Sequence, residues 1–580
     1  MHSIVNLRLA MIFIIAPLLY QTQITAHESD IAIIERFLKH HGCHIQVEKI
    51  NGQSRVTRIQ TSGCDDSFLD SLQQLYFLQS LELTQPTSHE VIDKMKCTEN
   101  LSSLKMLKFV GNKEKTFPST APIHWDVLRN LDSFEMLYLD LTQSEFGEIV
   151  KRSSQLKRLF IGYQPHGQSG IDVWPDLANC NDIQSVTLGH VIASRINSQV
   201  DSAEVLSTLR SLSNLTILGP IGTETLVSLS QLPELTRLTI SSTEADLSCL
   251  ADFEKLKVLE IGGASRIHKE DVKNIAQIPN IKALHFNRCL FPDALNIFAP
   301  LKSMESLEEL SLLQISPTND VFDLSFINTL PNLRTLRLRG FKGSFESIYN
   351  VRQLASLSID SCEVFQTDKF AHCKNIEKLV VCYTPIMGES DLPSSLTHLE
   401  IRAFSQTPVP KSFFRRVFSL PNLQVLTLNG VKIGVNDFQK LTNHSRLLAL
   451  DLSGSTIDSE AIPIICQLPK LECLKLSNVK LKNLHSASEI ARWVDKSKNL
   501  KTLDITGMLV CDALIASLTK CRQLHTLNLS QSDLSEDMLI MLNQAPSLGK
   551  LDMTLCKNFH SEWLEKSSIS TILIGATWHP

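Results

Sequence analysis

The fold is decided by a short leucine pattern that recurs along the chain. Residues 423–428 read LQVLTL, residues 447–452 read LLALDL, and residues 471–476 read LECLKL. Leucines occupy positions 1, 4 and 6 of the pattern L-x-x-L-x-L in all three. The last two leucines alternate with polar residues, and a period of two is typical of a strand that buries one face.

The same pattern, with Ile, Val, Phe or Met at some positions, extends from Val56 to Ile574. We count about 22 units with a mean period of about 24 residues, inside the range of about 20–29 residues known for leucine-rich repeats. The chain therefore resembles the leucine-rich-repeat family. A single unit is too small to bury its own apolar face, so the units must stack into a parallel sheet and a continuous core. We predict an α/β horseshoe solenoid with a concave parallel sheet.

The segments that return the chain from one strand to the next are predicted to be short helices on the convex face. Residues 458–471 and 535–548 place apolar side chains at helical spacing, and Asp458 and Ser535 are the expected N-caps. We place position 1 of two later units at Phe134 and at residue 215, which makes the units before them unusually long.

The first residues predict export. Leu9–Tyr20 form an apolar run that is too short to span a bilayer but suits a signal peptide, with cleavage near Ala26. An uncleaved anchor is the alternative. No later run is apolar for long enough to form a membrane helix, so we expect no membrane span after cleavage. The protein should be secreted, periplasmic or on the cell surface. We expect it to be a monomer.

The chain is thus divided into a signal peptide (1–26), an N-terminal cap (27–55) and a solenoid (56–580). Within the cap, residues 29–42 predict an amphipathic helix, and Asn51-Gly52 predicts the turn of a hairpin. Such a cap would cover the open N-terminal edge of the sheet.

The overall charge argues against a nucleic-acid partner. With 56 basic and 61 acidic residues, the formal net charge is −5. Electrostatic binding of nucleic acid requires a basic surface, which this composition does not indicate.

The 14 cysteines can be interpreted in two ways. In an exported chain they predict disulfides, and Cys43 with Cys64, which flank the hairpin, are the candidate pair. The repeat favours buried thiols instead. Four cysteines fall at position 9 of their units, where the family often has Asn or Cys, and three fall three residues before position 1, where leucine is usual. They are Cys64, Cys289, Cys362 and Cys556, and then Cys180, Cys373 and Cys521.

Motifs for catalysis or for cofactor binding are missing from the sequence. It contains no H-E-x-x-H, no G-x-x-x-x-G-K-[ST] and no paired C-x-x-C. HHGCH (40–44) is the best metal-like cluster, through His40, Cys43 and His44. Gly42 is expected to end the helix between the histidines, which spoils that geometry. We predict neither a cofactor nor a metal.

Positions 3, 5 and 7 alternate with the core leucines and should face the concave side. Tyr138 and Phe160 are read as position 5 of neighbouring units and form a candidate aromatic anchor. Arg337 and Arg339 could engage a carboxylate on a partner. Further polar candidates lie near the C-terminus: Asp451, Lys475, Asp504, Asn528 and Asp552.

The resemblance to leucine-rich-repeat proteins implies a non-catalytic scaffold that binds a protein partner. A structural component of the cell envelope or surface, without a defined ligand, is the second hypothesis. The third is a metal protein or an enzyme that uses His40, Cys43 and His44.

Overall fold

The structure is a computed structural model that describes residues 43–575 with gaps, together with Asp30, Ile33, Ile34 and Phe37. The gaps are 62–70, 73, 85–100, 111–128, 138–142, 154, 163–173, 178–179, 181, 190–207, 220, 242–244, 293–295, 318–322, 367–369, 389–391, 404–408, 444, 483–486, 495 and 557–561. The predicted signal peptide (1–26) lies outside the described residues.

The strands follow one another at the spacing of the repeats. They are β1 Cys43–Ile50, β2 Gln53–Thr61, β3 Ser80–Thr84, β4 Met106–Val110, β5 Ser133–Leu137, β6 Arg158–Ile161, β7 Ser185–Leu188, β8 Asn214–Ile217, β9 Arg237–Ser241, β10 Val258–Gly262, β11 Ala283–Asn287, β12 Leu290–Phe291, β13 Glu309–Leu313, β14 Ser316–Pro317, β15 Thr335–Arg339, β16 Ser356–Asp360, β17 Phe365–Gln366, β18 Lys378–Cys382, β19 Ile386–Met387, β20 His398–Arg402, β21 Val425–Asn429, β22 Lys432–Ile433, β23 Ala449–Asp451, β24 Thr456–Asp458, β25 Cys473–Lys475, β26 Lys480–Lys482, β27 Thr502–Asp504, β28 Thr526–Asn528, β29 Lys550–Thr554 and β30 Thr571–Gly575.

The main sheet has 23 strands. Apart from β1, each main-sheet strand pairs in parallel with the corresponding strand of the next repeat, from β2 to β30. The remaining short strands form three small sheets beside it: β12–β14, β17–β19 and β22–β24–β26. The predicted leucine-rich-repeat solenoid with a parallel sheet is therefore confirmed.

The core lies behind the sheet and is built from positions 1, 4 and 6 of successive repeats. Leu333, Leu336 and Leu338 are each at most 1% exposed, and the equivalent residues of neighbouring repeats are buried in the same way. Because β13 and β15 pair Leu310 with Leu336 and Leu312 with Leu338, the leucines stack in continuous rows. This register is what the alternation within L-x-L predicts.

The return segments contain both α-helices and 3-10 helices. The α-helices are α1 Gln143–Arg152, α2 Trp174–Leu177, α3 Thr223–Leu229, α4 Lys269–Ile275, α5 Lys411–Val417, α6 Val435–Phe438, α7 Ala461–Cys466, α8 Ala487–Val494, α9 Asp512–Leu518, α10 Glu536–Leu542 and α11 Glu562–Lys566. The 3-10 helices are Leu247–Asp252, Ala299–Ser303, Ser325–Thr329, Glu346–Asn350, Phe370–His372 and Gln439–Asn443. A 3-10 helix covers more length per residue, so it suits the shorter return segments.

One of the two predicted N-caps is confirmed. The Ser535 side chain accepts a hydrogen bond from the backbone N–H of Met538 at 3.2 Å. Asp458 is wrong as an N-cap, because it ends β24 and its carboxylate accepts a hydrogen bond from the backbone N–H of Val435. Helix α7 begins later, with Glu460 at its N-cap.

Two units were assigned a frame three residues too late. Leu107, at position 4, pairs with Phe134, so Phe134 is at position 4 and Leu131 is at position 1. Val186 pairs in the same way with Leu215. In the first unit the error arose because Leu137 and Leu139 continue the apolar spacing after Phe134, so two frames fit the sequence equally well. In the second, Leu218 continues the spacing after Leu215, but the wrong frame puts Pro220 at position 6.

The N-terminal cap joins both ends of the solenoid. The hairpin turn at Asn51 and Gly52 is confirmed, with φ values of 53° and 80°. Strand β1 pairs antiparallel with β2 on one side and with β30 on the other. The sheet is therefore closed into a ring with no free edge, whereas the sequence predicted only a cover for the N-terminal edge.

Side chains on both sides of this junction reinforce the closure. The Ser54 hydroxyl donates a buried hydrogen bond of 2.9 Å to the carbonyl of Leu564, and the Lys49 ammonium donates to the same carbonyl at 3.2 Å. Asp30, which is helical, forms a buried ion pair of 3.6 Å with Arg55 of β2. The cap is thus packed against the first and last repeats together.

Among the described residues, no helix has both the length and the apolar character needed to cross a membrane.

Candidate binding site on the concave face

The side chains at positions 3, 5 and 7 of each repeat face the inside of the ring, as predicted from the alternation along the strands. We call the enclosed space the lumen. His44, Gln46 and Glu48 of β1 also face it, since they lie opposite Gly575, Leu573 and Thr571. The lumen is thus lined by every strand of the closed sheet.

Both signs of charge are interspersed around the lumen. The basic side chains are Arg58, Lys108, Arg158, Arg237, Arg337, Arg339, Lys378, Arg402, Lys475 and Lys550. The acidic side chains are Glu48, Glu82, Glu135, Glu260, Glu309, Asp360, Glu400, Asp451, Asp504 and Asp552. The basic and acidic side chains are equal in number, so the electrostatic potential of the lumen is not dominated by either sign.

Along β4 to β8, position 7 of five successive repeats is either apolar or glycine. Val110, Leu137 and Leu218 occupy position 7 of their repeats, and Phe160 occupies position 5 of β6; all four are half-buried. Between them, position 7 is glycine in two successive repeats, at 162 and 189. We call these six residues the Phe160 patch.

The glycine at 162 creates room for the neighbouring side chains. A Cβ on Gly162 would lie 2.5 Å from Cδ2 of Leu137 and 3.0 Å from Cε1 of Phe160. The two side chains therefore lean over the glycine and contact the backbone there. The result is a continuous apolar surface on the lumen wall.

Charged groups flank the Phe160 patch. The Lys108 ammonium lies 3.2 Å from the Glu82 carboxylate and 3.9 Å from that of Glu135, so it bridges β3 and β5. Arg158, two residues before Phe160 on the same face of β6, is exposed. An apolar centre with a charged rim is typical of protein–protein interfaces.

Of the two residues in the predicted aromatic anchor, the structure places only Phe160 at the expected position. Phe160 lies in the lumen at position 5, but β5 presents Glu135 beside it, not Tyr138. Tyr138 lies outside the described residues, and the corrected frame removes it from position 5. Sequence reasoning missed Leu137 and Leu218 for the same reason. With the correct repeat frame, the sequence alone would have shown apolar residues or glycine at position 7 of five successive repeats.

Arg337 and Arg339 lie on the lumen wall, as predicted, but both already have acidic neighbours. The Arg337 guanidinium is 3.2 Å from Glu309, and that of Arg339 is 3.2 Å from Asp360. The His285 ring also lies 3.1 Å from Glu309. Contact with His285, together with the charge of Arg337, holds the pKa of the Glu309 carboxyl below its ordinary value of 4.5. These arginines therefore belong to an alternating charge network.

The polar candidates near the C-terminus mainly shape the backbone. Asp451, Asp504, Asn528 and Asp552 each accept a hydrogen bond at 2.9–3.0 Å from the backbone N–H two residues later. This contact forms an Asx turn, which lies at the end of the strand for Asp451, Asp504 and Asn528. Lys475 is different, since its side chain is exposed and has no ion-pair partner among the described residues.

The cysteines of the described residues are free thiols at positions set by the repeat, and they form no disulfides. Every cysteine in the described part of the chain carries a free thiol. At position 9, Cys289 and Cys556 direct their Sγ atoms to the position 6 carbonyl of the preceding repeat, each at 3.1 Å. Ser455 donates to the equivalent carbonyl of Leu428 at 2.6 Å. Cysteine and serine thus replace the asparagine ladder of related repeats.

Burial makes these thiols weak acids. It raises the pKa of Cys289 to about 12, and those of Cys180, Cys362 and Cys373 to about 11. Thiolates are the reactive form of cysteine, so a raised pKa protects the side chain from oxidation and alkylation.

The candidate disulfide and the metal-like cluster at the hairpin share Cys43. Cys43 carries a free, buried thiol on the core face of β1, with a pKa raised by burial to about 11. His44 follows it in the same strand and is exposed on the lumen face, so the two side chains point in opposite directions. Cys64 and His40 lie outside the described residues. Among the described residues, no group of three or more His, Cys, Asp or Glu side chains could hold a metal ion.

Part of the chain is similar in sequence to a known protein. Over 135 residues, the chain is 30% identical to the leucine-rich repeat-containing G-protein coupled receptor 5 of Rattus norvegicus. The stretch covers 23% of this chain and spans 14% of the length of that receptor. No protein-family profile matches the chain.

Solved structures with the same fold are distant in sequence. The mouse RP105/MD-1 complex contains a chain that is 13% identical, with a TM-score of 0.49 and coverage of 89% of this chain and 94% of the other. A chain of the TLR13–ssRNA13 complex is 18% identical, with a TM-score of 0.43 and coverage of 84% and 65%. At this level of identity the likeness concerns the fold alone.

Proposed function

We propose that this leucine-rich-repeat protein is a non-catalytic scaffold that binds a protein partner on its concave face. The observation that carries the proposal is the Phe160 patch, an apolar arc with a charged rim on a wall whose other side chains are mostly polar or charged. The solved relatives in complexes with protein or peptide partners, such as RP105 with MD-1 and the plant receptor RGFR1 with RGF2, are consistent with this use of the fold.

The proposal includes export of the chain as a monomer. The apolar segment near the N-terminus supports it, and the buried, weakly acidic thiols would stay reduced in an oxidising compartment. The Phe160 patch distinguishes this function from that of a surface component without a defined ligand, because such a component has no need of a concentrated apolar arc.

The test is cross-linking of the full chain in its native compartment, followed by affinity purification and mass spectrometry. Wild type is compared with Phe160→Ala and with Thr427→Ala, which changes position 5 on another arc of the ring. Since buried aromatic anchors often contribute 2 kcal/mol or more, we expect recovery of the partner to fall at least about tenfold for Phe160→Ala only. Equal recovery from all three proteins contradicts the proposed site, and a chain that cross-links to no single partner supports the structural role.

A further inference from the structure

We propose that the lumen admits a slender polypeptide segment, helical or extended, that enters along the ring axis, and that it excludes folded domains. This inference rests on the proposed function and specifies the class of partner. It follows from closure of the ring, because an open horseshoe can also be approached from the side of its gap.

The number of strands sets the width of the lumen. With 23 strands spaced about 4.8 Å apart, the sheet has a circumference of roughly 110 Å and a diameter of roughly 35 Å between backbones. Side chains on both walls leave roughly 25–30 Å. An α-helix is about 10–12 Å wide and fits. A folded domain of about 100 residues, with a radius of gyration near 13 Å, is roughly 34 Å across and does not.

The lining indicates which kind of chain the lumen accepts. A nucleic acid or another polyanion would need a basic wall, whereas this wall alternates basic and acidic groups. Lys108 between Glu82 and Glu135, and Glu309 beside Arg337, show the alternation at the level of contacts. The apolar Phe160 patch adds an anchor on one arc. A polypeptide segment of mixed charge with an apolar face matches both features.

Closure is maintained by β1 along its whole length. Five residues of β1, from His44 to Glu48, pair with β30, and Lys49 N–H donates to the carbonyl of Ser570 at 2.9 Å. Ile45 and Val47 of the same strand are 1% and 2% exposed. The lumen is therefore entered only through its two mouths.

The experiment measures access to the lumen without any partner. A thiol is introduced at Lys475→Cys, on the lumen wall, and at Lys269→Cys, on the convex helix α4; both lysines are exposed. A strand of five residues is about 17 Å long, so position 5 lies roughly 8 Å from either mouth. Each protein is treated with N-ethylmaleimide, with a helical peptide bearing a maleimide, and with a folded domain of about 100 residues bearing a maleimide on a short linker.

For each variant, the labelling rate of the wild-type protein is subtracted. The rates with the peptide and with the domain are then divided by the rate with N-ethylmaleimide. We expect the peptide to react at both sites within about threefold, and the domain to react about a hundredfold more slowly at Lys475→Cys than at Lys269→Cys. Val47→Asp, which places a charge on the core face of β1, should open the ring and restore the reaction of the domain; circular dichroism checks that the repeats remain folded. Equal reaction of the domain at both sites in the unopened ring would overturn the proposal. Since no partner is involved, this outcome is independent of the pulldown with Phe160→Ala.

Discussion

Gln46 of β1 lies directly opposite Leu573 of β30, and this antiparallel pair joins the first and last strands of the main sheet. The two residues are separated by almost the whole sequence, yet they share one rung of the sheet. The concave face is consequently the wall of a ring. The N-terminal cap, which the sequence predicts as a cover for one edge, occupies both edges at once.

The buried ion pair between Asp30 and Arg55 predicts a large effect of its disruption. Both side chains are nearly inaccessible, at 4% and 6% exposed. Asp30→Ala would leave the Arg55 charge buried without its partner, and we expect a loss of about 3 kcal/mol in unfolding free energy. Glu270→Ala, which breaks the exposed pair with Lys273, should cost no more than about 0.5 kcal/mol. Urea denaturation measures the unfolding free energy of both variants. Similar losses of unfolding free energy in Asp30→Ala and Glu270→Ala would contradict burial of the Asp30–Arg55 ion pair.

Position 9 predicts a difference between two substitutions of Cys289. Cys289→Ser keeps a donor for the carbonyl of Ile261, as Ser455 does for Leu428, and should cost less than about 1 kcal/mol. Cys289→Val keeps the bulk but removes the donor, and should cost about 1–3 kcal/mol. Thermal unfolding of the two variants decides the order. If valine is tolerated better than serine, the thiol acts only as an apolar filler.

Two glycines with similar backbone angles allow a matched comparison. Gly430 and Gly454 have φ values of +73° and +69°. A Cβ on Gly430 would lie 2.0 Å from the carbonyl oxygen of Ala403, whereas one on Gly454 has its nearest neighbour at 3.9 Å. We expect Gly454→Ala to cost about 1 kcal/mol from the left-handed backbone alone, and Gly430→Ala clearly more. Equal melting temperatures would contradict this packing of β21.

The depressed pKa of Glu309 predicts how stability depends on pH. A carboxyl with a lowered pKa in the folded state stabilises it above the ordinary value of 4.5, and that contribution is lost as the pH falls through the folded pKa. Glu309→Gln should therefore lose less stability than wild type between pH 5 and pH 3. Because the site is partly exposed, the difference should be below about 1 kcal/mol. Glu363→Gln, at an exposed glutamate, is the control and should follow wild type.

The periodic leucines were sufficient to predict the repeats, the parallel sheet and the orientation of positions 3, 5 and 7. They act locally, since each unit buries the same positions as its neighbours. The frame around Phe134 was wrong because Leu137 and Leu139 repeat the apolar spacing three residues after Phe134 and Met136. Only the pairing of Leu107 with Phe134 fixes that frame.

Closure of the ring could not be predicted from the sequence. It depends on the curvature accumulated over all the repeats, and no single unit encodes the small rotation between neighbours. The pattern in β1 identifies a strand with one buried face, with Ile45 and Val47 toward the core. It does not identify β30 as the partner. The Asx turn at Asp504 could not be predicted either, because an aspartate at the end of a strand suits either a turn or a ligand.

The central claim is that the concave face is the wall of a closed ring, and a disulfide between β1 and β30 tests it most directly. Lys49 and Ser570 are hydrogen-bonded, so by alternation Gln46 and Leu573 form a non-hydrogen-bonded pair with Cα atoms about 4.5 Å apart, close enough for a disulfide.

Gln46→Cys/Leu573→Cys should therefore oxidise to a covalent circle that migrates faster on a non-reducing gel and returns to the wild-type position after reduction. In Gln46→Cys/Lys550→Cys, the second cysteine lies on β29, roughly 10 Å or more away, and should form no cross-link. Absence of the faster species from Gln46→Cys/Leu573→Cys, or its equal formation in the Lys550 variant, would contradict the closed ring.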